Sequence, residues 1–145
     1  LPDSRLVAVP AVPPEFDPVA WRTTIARLHD AATAVARSAP TTPGDDASPT
    51  LYLTHFGAVT DPAAHLDRLG RELDAVVAVF TDLAAAGLDR DAIRDRYVEW
   101  SRARARAEGG AGAEPARFEA ANPFEVSVDG VLRWLARSEL RTASG

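Results

Sequence analysis

Only two stretches of this chain read as β-strand, and both are short: Leu6–Val9, closed by Pro10, and Leu51–Thr54, entered through Pro49 and Thr50. Two strands of this length cannot build a self-contained parallel sheet, because their edges and faces stay uncovered. Two architectures remain. The chain is a helical bundle with a small strand pair, or it is an α/β unit whose strands add to a sheet with members outside this sequence. The second is the expectation here.

Helical periodicity accounts for most of the rest. Asp17 and Pro18 make an N-cap and first-turn pair, and Trp21, Ile25, Leu28, Ala32 and Val35 recur at helical spacing over residues 18–37. Pro13-Pro14 before them forces an extended connection. Residues 38–49, SAPTTPGDDASP, are turn chemistry on the surface, and the adjacent acids Asp45 and Asp46 point apart there. Asp61-Pro62 repeats the capping pair and starts the strongest helix, with Leu66, Leu69, Leu73, Val76, Val77, Phe80 and Leu83 on one stripe and Gly87 as its C-cap glycine.

A third helix opens at Asp89, carries Ile93, Tyr97 and Trp100 on one face, and is expected to dissolve into Arg102, Arg104 and Arg106 before the linker at 109–112. A last helix follows Asn122-Pro123-Phe124 and carries Val128, Val131, Leu132 and Leu135, with Asp129-Gly130 obscuring where it begins. The expectation is therefore about four helices and two short strands. Trp21, Trp100 and Trp134 lie on helical stripes, which assigns them to core or subunit interface rather than to substrate binding.

Composition narrows the function. All 16 basic residues are arginine and the formal net charge is -5, so no lysine face exists to follow a phosphate backbone, and nucleic acid is excluded as a partner. No run reaches the ~18 apolar residues of a membrane span, and the first residues carry no signal pattern, which predicts a cytoplasmic protein without a membrane partner. With 46% hydrophobic residues the chain can bury a real core. It has no cysteine, so any metal is held by His, Asp or Glu. It has no methionine either, including at position 1, which reads as a processed chain or a piece of a longer one.

Chemistry concentrates at residues 51–57, LYLTHFG. His55 follows an apolar strand and precedes Gly57, which allows a tight turn and close backbone approach. A single histidine at a strand end serves structure more often than metal binding. Rigid placement by a buried strand shifts the balance toward a ligand. His65, ten residues later in the first turn of the long helix, is a candidate hydrogen-bond partner behind such a ligand, although a half-exposed polar residue is the plainer reading. Asp61 is a further candidate to orient an imidazole, but capping explains it fully; His29 is assigned to structure. No HxxxH, HxH or ExxH spacing occurs, and GxSxG, GxxxxGK[ST] and GxGxxG are absent. Arg102, Arg104 and Arg106 are assigned to a solvated face.

LYLTHFG, followed by Asp61-Pro62 and His65-Leu66-Asp67-Arg68-Leu69, resembles the carboxy-terminal part of metallo-β-lactamase (MBL)-fold metallo-hydrolases. Val9-Pro10, Pro13-Pro14-Glu15-Phe16-Asp17, Asn122-Pro123 and Gly130, Leu132, Arg133-Trp134 extend the likeness over most of the chain, with only the histidine motif specific. The resemblance implies an αββα sandwich, of which residues 1–88 would form the carboxy-terminal portion and residues 89–145 a helical extension. It also implies a metal-dependent hydrolase of a small-molecule substrate with two divalent ions, zinc first, iron or manganese otherwise. His55 would be a ligand of the second metal, Gly57 would shape its turn, and the metals would activate a bridging hydroxide. The family's HxHxDH motif, its next histidine and its bridging aspartate have no counterpart in this sequence, so the resemblance implies an inactive fragment. The alternative is a metal-free helical interaction or dimerisation module. Independently, residues 89–140, with Tyr97, Trp100 and Trp134, are a candidate homodimer interface.

Overall fold

The computed structural model describes residues 9, 11, 16–38, 49–53, 57–107, 120 and 123–143. Its elements are α1 (Pro18–Ser38), β1 (Leu51–Leu53), β2 (Gly57–Val59), α2 (Pro62–Ala85), α3 (Arg90–Ala107) and α4 (Phe124–Ala143). The protein is mostly helical with one small antiparallel sheet. None of these helices is long and apolar enough to cross a membrane.

Three of the four helices named above, α1, α2 and α3, begin at an aspartate cap. The Asp17 carboxylate accepts from the backbone N–H groups of Val19 (2.9 Å) and Ala20 (3.2 Å), that of Asp61 from Ala64 (3.1 Å), and that of Asp89 from Ala92 (2.9 Å). These bonds satisfy donors that the first helical turn leaves unpaired. At the end of α2, Gly87 takes φ 68 and its N–H donates to the Ala84 carbonyl at 3.0 Å. That left-handed conformation is the reason for glycine at this position.

The core lies among α2, α3 and α4. Leu73, Val76 and Phe80 from α2, Ile93 and Tyr97 from α3, and Phe124, Val128 and Val131 from α4 are buried together with Val9, Ala11 and Phe16. One cluster thus draws on residues before and after Leu88. Tyr97 is its aromatic hub: its ring centroid lies 4.5 Å from Phe80, 5.7 Å from Trp100 and, edge-on, 5.7 Å from Phe124. Such pairs add about 0.5–1.5 kcal/mol each beyond area burial. Trp21, Trp100 and Trp134 pack against this core as half-buried side chains, and Phe16 meets Trp134 edge-on at 6.0 Å.

α1 lies along α2. Trp21 and Ile25 reach the core, and Arg22 pairs with Asp74 at 2.6 Å. Farther along, Leu28 and Val35 are 40% and 52% exposed, so the apolar stripe of α1 outruns the cover given by the described residues.

Several expectations need correction. Residues 6–8 of the expected strand Leu6–Val9 lie outside the described residues, and Val9 is buried but belongs to no strand. The partner of β1 is instead β2, in a register of Leu51 opposite Val59, Tyr52 opposite Ala58 and Leu53 opposite Gly57. Nor is β1 a buried strand. Leu51 and Leu53 are half-buried and Tyr52 is 79% exposed, because the hairpin pairs chiefly with itself and no strand residue joins the core. α3 does not dissolve at its arginines; alternating Arg and Ala are both strong helix formers, and the helix runs to Ala107. α4 passes unbroken through Asp129-Gly130, with Gly130 buried and Asp129 paired to Arg90 at 2.7 Å. Asp45 and Asp46 lie outside the described residues.

Candidate functional site

The stretch singled out by sequence becomes the β1–β2 hairpin and the first turns of α2. β1 ends at Leu53 and β2 starts at Gly57, so the ladder fixes the chain on either side of Thr54, His55 and Phe56, which lie outside the described residues. Gly57 has φ 90, a conformation that L side chains rarely adopt. A Cβ added there would meet nothing within 4 Å, so backbone conformation, and not close approach to a neighbour, requires the glycine.

The companions of His55 are placed as follows. Asp61 is exposed and committed to capping α2. His65 is half-buried in the first turn of α2, and its pKa is pushed down by burial and by the neighbouring Arg68 charge, which favours neutral imidazole. His29 Nε2 stands 3.9 Å from Asp67 across the α1–α2 contact, in keeping with a structural role. Among the described residues no three His, Asp or Glu side chains gather as a metal-binding group. The described residues therefore do not make a metal site by themselves.

A second constellation joins α2 to the end of α3, and its polar half went unread in sequence. Arg104, expected in solvent, donates from Nε to Glu72 Oε1 at 3.2 Å and from a terminal nitrogen to Glu72 Oε2 in a still closer contact. Its guanidinium carbon sits 5.0 Å from the Trp100 ring centroid, a cation–π arrangement. The Glu72 side chain keeps 16% of its exposure and that of Arg104 35%. Burial next to this pair pushes the Tyr97 hydroxyl up to about 12, with the Glu72 charge adding to the rise and a hydrogen bond with Ser101 opposing it. The i, i+4 spacing of Trp100 and Arg104 was a readable signal for their stacking; the position of Glu72 just beside the α2 stripe was the signal for the ion pair. Both arms of the carboxylate are used and the indole covers the cation, so the cluster clamps two helices and offers no open coordination.

On the outer side of α3, Asp95, Val98, Glu99, Arg102 and Arg106 border an open depression of about 350 Å³. All these lining residues come from successive turns of one helix, so their polar groups diverge where a ligand site needs convergence. Comparison of the chain with protein-family models, with curated proteins and with solved structures finds no match. The hairpin and the head of α2 remain the region where local geometry leaves chemistry unaccounted for.

Proposed function

We propose that this chain is the carboxy-terminal portion of a metal-dependent hydrolase of the MBL-fold superfamily. In this reading residues 1–88 belong to the catalytic αββα sandwich and residues 89–145 form a helical extension. The observation that supports it is the pairing of Leu53 opposite Gly57, the described strand ends that flank residue 55 in the sequence. The exposure of Tyr52 and the absence of strand residues from the core agree with a hairpin that adds to a larger sheet.

His55 is then one of several ligands to two divalent ions, zinc first and iron or manganese otherwise, and its fellow ligands come from chain outside this sequence. The neutral His65 imidazole is a hydrogen-bonding neighbour in this scheme and Gly57 sets the turn. The enzyme works in the cytoplasm on a small-molecule substrate, pairs through α3 and α4, and the present chain alone is inactive. Elemental analysis of the parent protein tests this: bound zinc, iron or manganese falls in His55→Ala, whereas unchanged metal content removes His55 as a ligand.

A second reading is favoured by one observation. Among the described residues, the buried cluster takes members from α2, α3 and α4 and none from β1 or β2. A metal-free helical interaction module needs no more than that. Parent protein without any of the three metals, in wild type as in His55→Ala, selects this reading.

A further inference from the structure

The outer face of α3 separates its charges along the helix. Asp95 and Glu99 lie one turn apart in its middle and Arg102 and Arg106 one turn apart toward its end, all four exposed, with half-buried Val98 among them. Like charges at this spacing disfavour the helix that carries them. Residues 100–107 contain three arginines and no acid. Of these arginines, Arg104 turns inward to Glu72, whereas Arg102 and Arg106 stay on the outer side.

The helix dipole accounts for only part of this pattern. Acids are favoured in the first turn and bases in the last, and the effect fades beyond them. Asp91 and Arg106 lie in those turns of α3; Asp95, Glu99 and Arg102 do not. Contacts within the helix account for another part, since Arg94 pairs with Asp95 at 2.9 Å and Arg96 stands 3.7 Å from Glu99. Even so, the side chains of Asp95 and Glu99 stay 70% and 73% exposed, and an ionised carboxylate accepts from more than one donor.

The shape of this face suits a rod better than a compact ligand. The open depression of about 350 Å³ is bordered by Asp95, Val98, Glu99, Arg102 and Arg106, whose polar groups follow one another along the helix. A small molecule reaches one or two of them, whereas a helix laid alongside meets them in turn. A second α3 running the opposite way sets its basic end over the acidic stretch of the first. The face is thus its own complement, as a two-fold contact requires.

We propose that the outer face of α3 is the contact between two copies of this chain, packed antiparallel about a two-fold axis level with Trp100 and Ser101. Asp95 meets the partner's Arg106, Glu99 meets the partner's Arg102, the symmetry repeats both pairs, and Val98 supplies apolar surface between them. α3 has 18 residues and is about 27 Å long, so this one face covers less than the ~800 Å² per partner of a stable interface. The dimer is therefore weak, and it dissociates as salt screens its exposed charges. The inference rests on the pairing named in the hydrolase reading, narrows it to one helix face, and needs nothing of that reading's metals.

Sedimentation equilibrium of the protein at low and high salt, with charge-reversed variants, tests it. The expected result is a monomer–dimer equilibrium that weakens as salt rises. Asp95→Arg and Arg106→Glu each weaken self-association by about tenfold or more, because like charges then face each other at both symmetric contacts. An equimolar mixture of the two variants recovers the affinity, since every contact in the mixed dimer again joins opposite charges, and that recovery shows both to be folded. Arg71→Glu, a reversal at an exposed position of α2, leaves the association unchanged. A protein that stays monomeric at low salt overturns this contact and the pairing of the hydrolase reading together, and leaves the metal part to its own test. A dimer indifferent to both reversals, or reversed variants that fail to complement each other, overturns this contact alone. If either reversed variant does not fold, Asp95→Asn and Arg106→Gln take their place, and an unaltered affinity and salt dependence in both overturns the contact likewise.

Discussion

The helical core and the hairpin are built on opposite terms. In the core each important side chain is fixed several times over: Tyr97 touches Phe80, Trp100 and Phe124, and Arg104 answers both Glu72 and Trp100. The hairpin is three residue pairs, with Tyr52 in solvent and a glycine at φ 90. Packing explains the core's apolar residues. It does not explain why so lightly packed a hairpin should hold a glycine at φ 90, and a feature without a packing reason is where function is to be sought. Stability and function are therefore expected to separate along this line.

The largest effect belongs to the core. Phe80→Ala, at a position with no exposure, should lower stability by about 3–5 kcal/mol in urea unfolding. A loss below about 1 kcal/mol would mean that this cluster is not the centre of the fold.

The buried phenol gives the next. With its pKa raised from 10.0 to about 12, Tyr97 holds its proton in the folded state over a range where the unfolded chain releases it. Stability from this group is complete below about pH 10 and falls as pH rises toward 12, by about 3 kcal/mol in all. Tyr97→Phe should flatten that alkaline limb, while Tyr52→Phe, in the hairpin and exposed, should leave it as it is.

Arg104→Met is expected to cost about 2 kcal/mol, because Glu72 is left mostly enclosed with an unanswered charge. Asp74→Asn, which breaks an exposed pair with Arg22, should cost less than about 1 kcal/mol. Equal losses would show that the α2–α3 clamp is no stronger than a surface ion pair.

The smallest effect sharpens the contrast from the hairpin side. Gly57→Ala places a Cβ on a left-handed backbone at about 1–2 kcal/mol of local strain. Because the hairpin scarcely joins the core, hydrogen exchange of the Tyr52 and Ala58 amides should quicken while global unfolding changes little. A fully global loss would contradict the separation.

The helices were legible because their signals are local. Asp17-Pro18 and Asp61-Pro62 announce starts, Gly87 announces a stop, and the stripe from Leu66 to Leu83 gives the buried face. The strand pairing was not, since β2, Gly-Ala-Val, has too little side chain to read as a strand before its partner is known. Burial of β1 was misjudged for a related reason: an apolar run predicts that a face seeks cover, and cover depends on elements elsewhere. At the candidate site, the capping role of Asp61 and the turn role of Gly57 were readable from their types. The Glu72–Arg104 grip was not, because it depends on which side of α2 the third helix takes.

On the reading that the chain belongs to a longer metallo-hydrolase, unfolding of that longer protein and its His55→Ala variant, with a chelator and then with added zinc, tests the separation most directly. The account predicts equal unfolding midpoints in chelator and a zinc-induced rise in the wild type alone, as follows when a metal binds only the folded state. A variant already destabilised in chelator by as much as a core substitution, with zinc affecting neither protein, would make His55 a structural residue and contradict the account.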